Sequence, residues 1–156
     1  MAEVGILRKG ETSAEQILRQ ILNKVKDGRA GAVAFFVGVV KGLTGRGEPV
    51  KGLSYEAYEE LALKSLKQIR DETLAKPGIV ETLIFHVVDE LGVGEEIMYV
   101  AVAGWGRKEE FQALAEVVDR VKREVPIFKK EILVDGRSYW VAEEEAKRKY
   151  ESGGEA

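Results

Sequence analysis

Two lysines bracket a proline in the last third of the chain. Lys122 stands near the end of an amphipathic helical pattern, and Lys129 in the extended run that opens after Pro126. Alternation along that run puts Lys129 on the face of Ile127 and Leu133, opposite Phe128 and Ile132. A lysine flanked by apolar surface is suited to binding an anion or moving a proton. Each taken singly also reads as an ordinary surface cation, Lys122 laying its stem along the apolar stripe. Other candidates for chemistry are weaker. The stretch Gly42 to Lys51 is rich in glycine but lacks the spacing of a phosphate-binding P-loop. Gly92-Val93-Gly94-Glu95 lacks the third glycine of a dinucleotide fingerprint and leads into a strand, so it reads as a turn. The carboxylate pairs and triple at Glu59-Glu60, Glu109-Glu110 and Glu143-Glu144-Glu145 each fall in the first turn of an expected helix, where the dipole favours surface acid.

Composition removes whole classes of mechanism. There is no cysteine, which excludes disulfides, thiol nucleophiles, thiolate-bound zinc and Fe–S clusters. The one histidine, His86, is expected to be a strand residue with a satisfied hydrogen bond, so a histidine-rich metal site is not expected. Formal net charge is -3, which disfavours nucleic acid as a partner. No segment approaches the ~18 apolar residues of a membrane helix, and no secretory leader is readable at Met1 to Gly5, so a cytoplasmic protein is expected.

The elements that must carry the lysines alternate between helix and strand. Ser13 to Lys26 reads as a helix, with Ser13 and Gln16 as a capping box and Ile17, Ile21 and Val25 as its inner face. Gly31 to Val40 reads as a buried strand, Gly42 to Lys51 as a mobile loop, and Leu53 to Tyr58 as a second strand. A helix over Glu59 to Lys76 ends at Pro77-Gly78. Strands follow over Val80 to Val88 and Glu96 to Ala103. Lys108 to Val125 is the clearest helix, with Phe111, Leu114, Val118, Val121 and Val125 as its apolar stripe. Ile127 to Val134 reads as a strand, and Asp135-Gly136 turns it into Ser138-Tyr139-Trp140. A short charged helix and a frayed tail over 151–156 complete the chain. Hairpins between the helices argue for an α+β fold, one domain over 1–150 with mixed and antiparallel sheet, flanking helices and a small antiparallel subdomain.

Several blocks of this sequence, in order, resemble the molybdopterin synthase large-subunit family. They are Phe36-Val37-Gly38-Val39-Val40-Lys41, then Leu53-Ser54-Tyr55-Glu56-Ala57-Tyr58, then Lys122 through Glu131 followed by Asp135-Gly136 and Trp140. The resemblance runs from about Gly31 to Trp140. The family pattern has arginine where Lys41 stands, and His-Arg where this chain has His86-Val87 and Gly106-Arg107. The resemblance implies a hammerhead-like α/β arrangement and a sulfurtransferase. Its substrate would be a cyclic pyranopterin monophosphate, converted to the dithiolene molybdopterin for molybdenum cofactor biosynthesis. Sulfur would come from the C-terminal thiocarboxylate of a small ubiquitin-like partner ending in Gly-Gly. A homodimer within a heterotetramer, with a pocket that borrows residues across the dimer, is part of the same expectation, and no cofactor or metal is called for.

On that reading Lys129 is the leading acid/base or thiocarboxylate-positioning group, and Lys122 its catalytic partner. Arg107 and Lys41 are expected to contact phosphate, Phe36 to wall the pocket, and Lys130 to join the substrate-binding set. Two other readings stay open at this stage: a non-catalytic relative that binds the small partner or a pterin, and an anion- or nucleotide-binding regulatory module.

Overall fold

The structure is a computed structural model and describes residues 2–141. The expected short charged helix and the tail over 151–156 lie outside the described residues. Eleven elements are described: β1 (Val4–Leu7), α1 (Ala14–Lys24), β2 (Ala32–Val39), β3 (Val50–Ala57), α2 (Glu59–Leu74), β4 (Ile79–Val87), β5 (Glu90–Gly92), β6 (Glu96–Gly104), α3 (Arg107–Glu124), β7 (Ile127–Leu133) and β8 (Ser138–Trp140). They form an α+β fold with two four-stranded sheets. The first has the order β1-β4-β6-β2 and is mixed, since only β1 runs parallel to its neighbour. The second, β5-β3-β7-β8, is antiparallel throughout.

The first sheet is covered on both faces, which explains the near-continuous apolar runs of its central strands. Along β4 and β6 the side chains alternate. Leu83, Phe85, Tyr99, Ala101 and Ala103 pack with Ile17 and Ile21 of α1. Ile84, Met98, Val100 and Val102 pack with Leu66 and Ile69 of α2 and Val117 and Val121 of α3. Helix α1 starts as expected, the Ser13 hydroxyl accepting from the Gln16 amide at 3.3 Å. The reciprocal half of the capping box is not made, because the Gln16 side chain bonds to Thr12 instead.

Several expectations need correction. β1 and β5 were not anticipated: each is too short to show a period, and each exists because a longer strand offers it a free edge. The stripe of α3 is shifted. Phe111 is 65% exposed, and the buried face is Glu110, Ala113, Val117 and Val121. The helix lies close to the sheet, so small side chains face it and the bulky phenylalanine does not. Glu110, whose place in the first turn of a helix points to surface acid, is instead buried, seated against Gly104 where a Cβ would crowd its carboxylate.

The segment after Lys41 was expected to be mobile, but it forms a structured turn. Leu43 bridges to Pro49, and the buried Thr44 hydroxyl accepts from the amides of Arg46 and Glu48 at 3.2 and 3.1 Å. Gly47, at φ 82°, supplies the left-handed residue that the turn requires. Arg137 pairs with Glu48 at 2.7 Å and ties the turn to the β7–β8 hairpin.

A lysine-lined cavity between the two sheets

The end of α3, the strand β7 and the turn after β2 meet around a cavity of about 650 Å³. Phe36 contributes from β2, Lys41 from the residues just after it, Lys122 from the last turn of α3 and Lys129 from β7. The chain therefore brings four of the six expected site residues together. Pro126 sets the geometry: it cannot continue α3, so the chain turns and re-enters as β7, and both lysines face one space. Register then fixes Lys129. It lies opposite Tyr55 in the β3–β7 pair, with Glu131 opposite Leu53 on the same face. All four of these side chains line the cavity.

The other two expected residues are elsewhere. Lys130 points to the other face of β7, where its ammonium lies 5.3 Å from the centre of the Trp140 ring. The strand alternation that turns Lys129 inward turns its neighbour outward. Arg107 is exposed at the first turn of α3. Fifteen residues of helix separate it from Lys122, about 22 Å of rise, so within one chain the two cannot hold one small ligand.

The lining also includes residues outside the expected set, three of which bear on its chemistry. His86 lies within the run of buried residues on β4 and lines the cavity, as do Met98 of β6 and Tyr55 of β3. The His86 Nδ1 lies 2.8 Å from the Val87 carbonyl oxygen. A carbonyl only accepts, so Nδ1 carries the ring proton. The ring edge meets Tyr55, with centroids 5.1 Å apart and planes at 69°. Burial pushes the imidazole down to about 4, the Val87 bond opposes this, and the charges of Lys129 and Lys122 lower it further. His86 is thus neutral near pH 7. Burial also pushes the Tyr55 hydroxyl up, reinforced by the charge of Glu131. The expected satisfied hydrogen bond of His86 is present, but its place in the cavity was not legible until strands of different sheets were brought together.

The arrangement suits an anionic ligand. Three lysines supply positive charge around a space whose walls include Phe36, Met98 and Ile97. Low-dielectric walls strengthen such charge–charge contacts relative to water. Among the described residues no three of His, Asp and Glu converge as metal ligands, and no helix is long and apolar enough to cross a membrane.

Comparison with known proteins gives a consistent set of likenesses. The model of the family described as MoaE protein matches residues 10–124, ending just before the Pro126 turn. The molybdopterin synthase catalytic subunit of Pyrococcus abyssi is 35% identical over 140 residues, 90% of this chain and 91% of that one. The structure of molybdopterin synthase from Staphylococcus aureus superposes with a TM-score of 0.78 at 34% identity, covering 91% of this chain and 98% of that chain. A chain from the Helicobacter pylori complex of subunits 1 and 2 of molybdopterin-converting factor shares the fold, with a TM-score of 0.74 at 19% identity over 92% of each.

Proposed function

The chain belongs to the MoaE protein family, and from that premise we infer that it is the catalytic subunit of a molybdopterin synthase. It transfers sulfur from the C-terminal thiocarboxylate of a small ubiquitin-like carrier to a cyclic pyranopterin monophosphate. The observation that carries this reading is the meeting of Lys41, Lys122 and Lys129 at one cavity. A phosphate and a thiocarboxylate are both anions. Bringing them together costs Coulomb repulsion, which fixed cations offset.

The roles follow from position. Lys129, half-buried among Tyr55, His86 and Glu131, assists departure of the leaving oxygen as general acid/base or fixes the thiocarboxylate. Lys122 is exposed at the helix end, where an extended tail arriving from solvent meets it first. Lys41 contacts phosphate and Phe36 walls the pocket. Sulfur has to be delivered, since this chain has no cysteine to carry it. Residues 1–150 act as one domain, and the working assembly is a homodimer with one carrier docked on each copy, in the cytoplasm. Arg107, too distant from Lys122 within its own chain, would reach phosphate only from the second copy. The Helicobacter pylori chain of the same fold comes from a two-subunit complex, which supports the division of labour.

The test is reconstitution. The purified chain, a thiocarboxylated carrier and the pyranopterin should yield the dithiolene product. Truncation of the carrier's two terminal glycines should reduce transfer far more than it reduces docking of its globular part. Failure of the wild-type chain to release product with an active carrier contradicts the proposal.

A further inference from the structure

The tyrosines of this fold spend their hydroxyls differently. Tyr99 donates to the Glu96 carboxylate at 2.6 Å. Tyr58 stands in solvent with its ring edge on Phe128. Tyr55 is half-buried on β3, and no residue among those described hydrogen-bonds its hydroxyl. The oxygen is not sealed in the core either: the fully buried side-chain atoms without a partner belong to Thr82 and Glu110. Cross-strand partners share a face of a sheet, and Tyr55 lies directly opposite Lys129. Its ring meets the edge of His86 and senses the charge of Glu131. Lys129, His86 and Glu131 all line the large cavity, as Tyr55 does, so the hydroxyl opens into it. A half-buried phenol that recovers no hydrogen bond from the protein destabilises the fold relative to phenylalanine, which fills the same space without a polar atom.

We propose that Tyr55 is a binding residue of this site, whose hydroxyl donates a hydrogen bond to an anionic oxygen of the bound ligand. A phenol offers one O–H donor. Burial and the charge of Glu131 hold its proton on through the neutral range. The hydroxyl complements the lysines rather than repeating them. An ammonium is a point charge on a flexible four-carbon stem and attracts an anion from many directions. A hydroxyl on a rigid ring, seated on a strand and against His86, selects an oxygen at one place. It therefore adds direction to the charge of Lys41, Lys122 and Lys129. On the sulfur-transfer reading, on which the inference rests for its ligands, two groups present such an oxygen: the phosphate of the pyranopterin and the terminus of the carrier's tail.

The experiment removes that one oxygen, as Tyr55→Phe in the full chain, with Tyr99→Phe as the control. Urea midpoints are measured first. The midpoint of Tyr55→Phe should stay in place or rise, because no bond within the protein is lost. That of Tyr99→Phe should fall, because its bond to Glu96 is lost. Calorimetric titration then follows binding of two probes, cyclic pyranopterin monophosphate and the carrier with an ordinary Gly-Gly carboxylate. Affinity for at least one of them should weaken about tenfold in Tyr55→Phe, the loss of one hydrogen bond to a charged group. A loss confined to the pyranopterin places the bond at the phosphate, and a loss confined to the carrier places it at the tail. Undiminished affinity for both probes overturns the inference. A Tyr55→Phe chain that unfolds, or whose midpoint falls as far as that of Tyr99→Phe, overturns it as well, since the hydroxyl then serves the fold. A wild-type chain that loses affinity with the hydroxyl yet forms no dithiolene product overturns the proposed function and leaves the binding role of Tyr55 standing.

Discussion

At the scale of single residues, the cavity places different demands on a cation and on a neutral ring. Lys129→Ala should cut turnover by about 10²–10⁴-fold, the range for losing an acid/base or a charge-stabilising group. Lys129→Arg divides the two roles, because arginine keeps the charge but does not release a proton near neutral pH. Steady-state kinetics of the reconstituted pair reads both, and an inactive but folded, carrier-bound Lys129→Arg chain favours proton transfer. His86 has a separate signature in stability. Its folded-state value of about 4 lies below the ordinary imidazole value of 6.5, so the unfolded chain binds the proton first. Its contribution is complete above pH 6.5 and is lost as pH falls toward 4. Between pH 7.5 and pH 5 this amounts to about 2 kcal/mol. Urea midpoints should therefore drop for the wild type over that range and drop less for His86→Gln. Lys129 was legible in the sequence because strand alternation alone turns it inward. The same rule should have turned Lys130 outward, as the structure does. His86 was not legible as a cavity residue, since its exposure to Lys129 depends on how two sheets pack.

At the scale of elements, the long helices and central strands could be read from periodicity, and their short partners could not. Val4 to Leu7 and Glu90 to Gly92 become strands only because β4 and β3 offer them edges. The stripe of α3 was misplaced for a different reason. Phe111 dominates a hydrophobic pattern, whereas Ala113 carries little weight in it, yet close packing against a sheet selects the small residue. Ala113→Leu should accordingly destabilise the fold by about 1–3 kcal/mol through overpacking, read as a fall in the urea midpoint at unchanged slope. The turn after β2 was misread because glycine content suggested freedom, while the hydroxyl of Thr44 supplies the order. Thr44→Val keeps the shape and loses both accepted bonds. It should speed amide exchange at Arg46 and Glu48 and raise KM for the phosphorylated substrate, because Lys41 borders this turn. Unchanged exchange at both amides contradicts the role given to Thr44.

At the scale of the whole molecule, two sheets and the end of one helix build a cationic cavity, and the opposite end of that helix carries Arg107 about 22 Å away. Such a layout makes sense if a second copy completes the pocket. Light scattering should then give a dimer at micromolar concentration, and a dimer with two bound carriers when the partner is in excess. Mixed dimers of Lys129→Ala and Arg107→Ala chains should regain activity in one of their two sites. The ordered blocks around Phe36, Tyr55 and Pro126 were enough to suggest the family from the sequence, whereas the distance between Arg107 and Lys122 needed the fold. The central claim is that this cavity transfers sulfur from a delivered thiocarboxylate to an anionic pterin through Lys122 and Lys129. Its most direct test is a single-turnover assay with thiocarboxylated carrier and cyclic pyranopterin monophosphate, following the dithiolene product. The wild-type chain should form product, each single alanine variant should form it far more slowly, and the Lys122→Ala/Lys129→Ala double variant should lose less than the product of the two single losses. Near-normal product formation by both single variants would contradict the account.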